Sequence, residues 1–361
     1  MKKYRLLFFL SAMLISKLSV AGFFEEQKKV NCAYKVASMP SIEVDNKYGE
    51  VQIVAWEKDS VKLEATIIAT SDKLQDIQKL MGKVNVVCRG TESAVIFSTE
   101  WTDGVSFLNK GSMDLKNLLN SDKKLIVNYK VYLPTNSRLS INNHFGDVYL
   151  PDYTGPLRID LAHGDLRARD IKDARSISVR YGKVLIKNLE QGLLKMEYSS
   201  LILDRANILT LESKSSTIEI LEVNRLAIKS RSDELRIDQI NSLRGQSTYS
   251  NILIKELKEL VNVSTSYGDL SIRGVANEFR SIQLKGSSTD YDLEFTEEAK
   301  FQLSVETIKE KGISHSPLIK LTTDGSVIND VKKYNGYLGA EEAENKVVVV
   351  QKSGYLNLYV R

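Results

Sequence analysis

The chain has 361 residues and a formal net charge of +4, too small an excess to argue for nucleic acid or an anionic membrane as partner. Its three histidines and two cysteines come without a His-Glu-x-x-His, Cys-x-x-Cys or Gly-x-Ser-x-Gly element, so no catalytic or zinc-binding motif is present.

Lys2, Lys3 and Arg5 open the chain, an apolar stretch runs from Leu6 to Ile15, and Ser19-Val20-Ala21 follows. That layout predicts a secretory signal cleaved between Ala21 and Gly22. The apolar stretch is too short to span a bilayer, and no second one of membrane length follows, so no transmembrane segment is expected. Gly22 stands where a lipid anchor would need a cysteine. Cleavage removes Lys2, Lys3, Arg5 and Lys17 and no acidic residue, which leaves the mature chain with no net charge. The expected location is the periplasm, the outer-membrane surface or the extracellular space. Export permits Cys32 and Cys88 to pair; two small buried thiols in separate strands are the other reading.

Ile42, Val44, Tyr48-Gly49-Glu50-Val51 and Ile53 form a first unit of alternating apolar residues, ended by Trp56. A different texture follows. Val61 to Ala65 reads as a strand, and a short helix is expected over 72–81, capped by Ser71 or Asp72, with Leu74, Ile77 and Met81 on one face and Gly82 as its stop. Val84–Val87 and Ala94–Ser98 read as a hairpin, and residues 102 to 123 as a polar loop. The segment 22–124 is thus expected to be a first turn plus a small mixed α/β cap over an open solenoid end.

From Leu125 to about residue 300 one unit returns every 17 or 18 residues. Its turn reads Phe145-Gly146-Asp147-Val148, His163-Gly164-Asp165-Leu166, Tyr181-Gly182-Lys183-Val184, and so on to Tyr267-Gly268-Asp269-Leu270. With Ile141, Ile159, Ile177, Leu194, Leu211, Ile228, Gly245 and Val263 as origins, apolar residues recur seven, nine and twelve positions on. Val184, Leu201, Ile218 and Leu235 exemplify the first column, Ile186, Leu203, Ile220 and Ile237 the second, Leu189, Ala206, Val223 and Ile240 the third. Apolar and polar residues alternate within each unit, the period of a strand with one buried face. A repeat this short buries its apolar face only against its neighbours. The expected fold is all-β: a parallel β-solenoid, or β-helix. Ser281–Phe295 is a longer unit. The segment 301–361 is irregular, with one distorted turn at Ile319, Leu321 and Gly325 and a last regular one at Val347, Val349, Gly354, Leu356 and Leu358.

Candidate chemistry is sparse. His144 and His163 fall on adjacent turns beside Asp147 and Asp165, but turn geometry explains both carboxylates without a metal. An acidic ladder of Glu50, Asp147, Asp165, Glu234, Asp269 and Asp290 is broken by Lys183, Ser200, Thr217 and Asn251, so no continuous ion row is expected. Tyr48, Phe145, His163, Tyr181, Tyr198, Tyr249 and Tyr267 form an aromatic column, interrupted by Ser215 and Ser232. Counting parity from Ile141 points these rings inward or toward the bend, as packing elements; exposed, they would make a platform for sugar rings or another protein. Ser213, Ser230, Ser247 and Thr265 stack where hydroxyls bond along the axis. No catalytic residue, metal site or cofactor is expected.

The run Ser41-Ile42-Glu43-Val44-Asp45-Asn46-Lys47-Tyr48-Gly49-Glu50-Val51-Gln52-Ile53, then Trp56 to Val61, Tyr129 to Pro134 and Leu139 to Val148, resembles the bacterial "putative adhesin" β-strand-repeat proteins. The resemblance lies close to the auto-transporter adhesin "head GIN" domain. It implies an exported envelope protein and supplies no catalytic residues. The expected function is a non-enzymatic, adhesin-like or structural surface of the cell envelope with an envelope protein or glycan as partner. The alternatives are a polysaccharide lyase or hydrolase, marked by carboxylates converging in a groove, and an envelope regulator docking a membrane partner, marked by an exposed apolar patch on the cap.

Overall fold

The computed structural model describes residues 23–102, 123–308, 312–328 and 331–361. The signal segment with its Ala21/Gly22 cleavage point, and almost all of the polar loop after Trp101, lie outside these. The described residues are all-β with one helix, and they form two compact units that divide between Arg169 and Asp170.

The first unit contains β1 (Phe24–Lys35), β2 (Ser41–Lys47), β3 (Val51–Ala55), β4 (Ser60–Ser71), α1 (Leu74–Gly82), β5 (Val84–Gly90), β6 (Ala94–Trp101), β7 (Lys123–Leu133), β8 (Arg138–His144), β9 (Val148–Leu150), β10 (Tyr153–Ala162) and the start of β11 (Leu166–Arg180). β2, β8 and β10 pair in parallel, so that Val44, Ile141 and Ile159 form one column. β3, β9 and β11 pair likewise and stack Val51, Val148 and Leu166. All six side chains are buried. Each such aliphatic side chain removed from water contributes about 1.5–3 kcal/mol.

β2 and β3 also pair in parallel on their other edges, with β6 and β7. Outside those strands the direction reverses: β5 is antiparallel to β6, β4 to β7, and β1 to β4. This reversed layer covers strand edges that would otherwise template further stacking. β7 thus pairs in parallel with β3 on one edge and antiparallel with β4 on the other. The Cys32–Cys88 disulfide ties β1 to β5, with Cα atoms 6.4 Å apart. α1 starts two residues later than expected. Its buried residues are Ile77 and Leu80, while Leu74 is exposed and Met81 is only half-buried. Lys73 occupies the cap position without a side-chain bond, and Ser71 Oγ accepts the Lys73 N–H at 3.2 Å.

The second unit continues with the rest of β11, then β12 (Lys183–Glu197), β13 (Ser200–Lys214), β14 (Thr217–Arg231), β15 (Glu234–Ile272) and β16 (Ser281–Phe295). Consecutive strands from β12 to β15 pair in parallel at a constant 17-residue offset. Val184, Leu201, Ile218 and Leu235 are register partners, as are Ile186, Leu203, Ile220 and Ile237, and Leu189, Ala206, Val223 and Ile240. The expected columns are therefore real neighbours. Leu209, Leu226 and Leu243 add a further buried column that the sequence reading passed over.

The C-terminal part departs from chain order. It contains β17 (Phe301–Thr307), β18 (Ile313–His315), β19 (Lys320–Ile328), β20 (Val331–Leu338), β21 (Lys346–Gln351) and β22 (Leu356–Val360). β16 pairs not with the next strand but with β21 and β22, whose other edges hold β17 and β18. β20 then lies antiparallel to β17, and β19 to β20. The segment expected to be a distorted turn around Ile319 and Leu321 is instead a hairpin that covers the last parallel layer.

Three tyrosines are fully enclosed: Tyr129, Tyr153 and Tyr291. Burial pushes all three phenols upward from their ordinary value of 10.0, Tyr291 to about 12. A group with a raised native pKa stabilises the fold fully below its unfolded pKa and loses that contribution as pH rises through the native value. Tyr291 therefore makes the second unit alkali-labile between about pH 10 and 12, and Tyr291→Phe should flatten the pH dependence of the melting temperature over that interval. A base titration followed by circular dichroism checks this.

Candidate binding surface

In the turns that carry an aromatic, that residue has the left-handed backbone; at Tyr267 the following Gly268 has a positive φ as well, 114°. The φ angles are 64° at Tyr48, 61° at Phe145, 57° at His163, 56° at Tyr181, 50° at Tyr198, 54° at Tyr249 and 58° at Tyr267. Non-glycine residues adopt this region rarely. Gly146 and Gly164 answer a different need. A Cβ on Gly146 would lie 2.0 Å from the Gly49 carbonyl oxygen, and one on Gly164 2.1 Å from that of Gly146. The glycines permit close stacking of successive bends.

The left-handed residue breaks the strand alternation and turns its ring out of the core. Phe145 is 46% exposed, Tyr181 52%, Tyr198 47%, Tyr249 56% and Tyr267 48%. This corrects the inward packing expected from parity. The rings still stack on one another. In the first unit Tyr48 and Phe145 lie 5.2 Å apart and Phe145 and His163 4.8 Å, with Trp101 edge-on to Tyr48 at 5.4 Å. In the second unit Tyr181 stacks on Tyr198 at 5.2 Å and Tyr249 on Tyr267 at 4.7 Å, nearly parallel in both cases.

Behind the ridge runs a polar spine. In the first unit Asn46 Nδ2 donates to the Val127 carbonyl at 2.9 Å, and Asn143 Nδ2 to that of Gly146 at 2.7 Å. In the second, buried Asp233 accepts the hydroxyls of Ser213 and Ser230 at 2.7 and 2.6 Å and the N–H groups of Ser216 and Arg231 at 2.8 and 2.9 Å. Ser199 and Ser250 continue the same column. Four donors compensate a carboxylate held away from water. The sequence reading named the hydroxyl column of Ser213 and Ser230 and missed Asp233; the small hydroxyls at Ser199, Ser216 and Ser250 were the available signal. Thr265 shares its hydroxyl with Tyr291.

The other sequence candidates stay apart. His163 is part of the ring stack, while Asp147 accepts the Asp165 N–H at 2.9 Å and the Tyr149 hydroxyl at 3.1 Å. Among the described residues no group of three or more His, Cys, Asp or Glu could hold a metal ion. Burial, then Asp290 and Asp292, push the Asp269 carboxyl upward. An open groove of about 470 Å³ in the second unit is lined by Asp170, Glu190 and Glu222 among others. Each of those carboxylates has a partner: Asn188 bonds Asp170, Asn207 bonds Glu190 at 2.7 Å, and Arg205 lies 3.6 Å from Glu222. Asn241 and Asn224 extend the amide ladder, each bonding the amide one turn below.

The family model described as Toastrack DUF4097 matches residues 39–359. No curated protein matches the chain. Solved structures with some likeness include a "Putative lipid binding protein" from Parabacteroides distasonis, 17% identical, covering 73% of this chain and 96% of that one with a TM-score of 0.36. A "putative adhesin" from Parabacteroides merdae is 10% identical over 74% and 96% of the two chains, with a TM-score of 0.34. Another from Bacteroides fragilis is 12% identical over 74% and 97%, with a TM-score of 0.31.

Proposed function

We propose that this chain, which belongs to the Toastrack DUF4097 family, is an exported, non-enzymatic β-solenoid that binds glycans of the cell envelope or of a contacted surface through its aromatic ridge. The observation that carries the reading is the ridge itself: half-exposed rings at equivalent positions of successive turns. A periodic polymer of ring-shaped units is matched by a periodic row of π-systems better than by one deep pocket. Export is supported by the signal-like residues 1–21 and by a disulfide, which an oxidising compartment sustains. The kinship to head GIN adhesins belongs to the same reading.

One observation favours the regulatory alternative. Phe23, Phe24 and Leu74 are exposed on the first unit, the kind of apolar feature a membrane partner would cover. The rings repeat from turn to turn and these side chains do not, so the ridge is the better-supported surface.

The test is a screen of the mature protein against glycans and peptidoglycan, beside a variant with Tyr181, Tyr198, Tyr249 and Tyr267 all replaced by Ala. Saturable binding without turnover, weakened at least about tenfold in the variant (about 1.4 kcal/mol), is the expected result. Turnover of a polysaccharide, or equal binding by both proteins, would overturn the reading.

A further inference from the structure

We propose that the interruption of the tyrosine row at Ser215 and Ser232 is a binding slot for a carboxylated sugar; this rests on the glycan-binding reading above and gives it a place and a substrate class. Ser215 and Ser232 keep the left-handed bend of the other turns, with φ of 49° and 57°. The backbone of the ridge is thus continuous and only the rings are missing. Tyr198 has one face against Tyr181, and Tyr249 has one face against Tyr267. The other side of Tyr198 adjoins the Ser215 turn, where the Lys214 ammonium lies over the ring, and the other side of Tyr249 adjoins the Ser232 turn. Three ladder steps of about 4.8 Å separate Tyr198 from Tyr249, so the slot is roughly 14 Å from ring to ring.

Between the two rings of each stack the faces cover one another and only edges are left to solvent. The slot is bounded by a tyrosine on each side, and the apolar C–H face of a pyranose is attracted to a π face by the same quadrupole that orders aromatic pairs. The floor carries the Ser215 and Ser232 side chains, small enough to leave the space open. Beneath it, the Asp233 carboxylate is saturated by its four donors and is unavailable to a ligand.

Charge selects the sugar. Lys214 and Arg231, each one residue before a slot serine, are aligned as register partners. Neither has a carboxylate partner among the described residues, and the Lys214 ammonium lies 5.5 Å from the Tyr198 ring centre. Glu234 stands on the opposite flank and Thr217 beside it. A uronic-acid ring stacked on Tyr249 would direct its carboxylate to the Lys214 and Arg231 side, where a guanidinium offers paired donors, and away from Glu234.

Calorimetric titration of the mature protein with trigalacturonate, and with maltotriose as the neutral probe, tests this. Saturable binding of trigalacturonate at least tenfold tighter than maltotriose is expected. The Ser215→Tyr/Ser232→Tyr variant, which completes the row, should lose at least tenfold of that affinity while its melting temperature holds or rises. Arg231→Ala should abolish the preference for the acidic probe without filling the slot. The proposal is overturned if the wild type binds neither probe, if it binds both equally, or if the filled variant binds as the wild type does. Glycan binding that survives the filling but not removal of all four tyrosines would sink the slot and leave the ridge standing.

Discussion

Ile237→Asp is expected to unfold the second unit at temperatures where Arg236→Asp remains native. Ile237 is fully buried and sits in register with Ile220 in a column that continues through Leu203 and Ile186. Truncating such a side chain alone costs about 2–5 kcal/mol. An unpaired carboxylate adds several more or forces the group to take a proton. The Ser230 hydroxyl and the Asp233 N–H of the spine are already engaged with Asp233 and Ser250. Arg236 is exposed beside Glu219 of the neighbouring strand. Its replacement brings two like charges together in water, worth about 1 kcal/mol or less. Thermal melts of the two variants side by side decide the matter: similar melting temperatures would mean that the assigned frame is wrong.

That frame was legible because apolar residues at constant offsets have only one arrangement that buries them all, and the register pairs of Val184, Ile186 and Leu189 with the residues 17 further on are what the offsets imply. The ring orientation was not legible by the same counting. Parity assumes an unbroken strand, and Phe145 with φ of 61° ends one. Asn143, two residues earlier, is buried as parity requires, while Phe145 is turned out. The C-terminal layer order escaped for another reason. Val347 pairs with both Ile282 and Leu303, and nothing local in the chain says that the last strands slip between two earlier layers. Pairing partners of a parallel strand are fixed by packing over the whole stack, not by neighbours in sequence. Asp233 was hidden because a carboxylate in a turn reads as solvated until its donors are seen.

Removing the strands before Leu125 is expected to make the remainder of the chain aggregate end to end. A chain beginning at Leu125 keeps most of β7 but loses β3 and β4, its partners on both edges. Val127, Tyr129, Val131 and Leu133, all buried in the intact protein, then lose their cover. β8 and β9 lose β2 and β3 as well, leaving unpaired parallel edges with an apolar layer between them. Such an edge is a template for the next copy. The disulfide tests a subtler part of the same structure. It closes a loop with a sequence separation of 56, and chain entropy gives such a cross-link about 4 kcal/mol, or roughly 10 °C in melting temperature for a unit of this size. Reduction, or Cys32→Ala with Cys88→Ala, should therefore lower the melting temperature without causing polymerisation, because β1, β4 and β7 remain paired. Light scattering separates the two effects. A monomeric truncation at Leu125 would show that the reversed strands do not protect the end, and reduction that caused assembly by itself would show that the disulfide, rather than the pairing of β4 with β7, is what holds the cap in place.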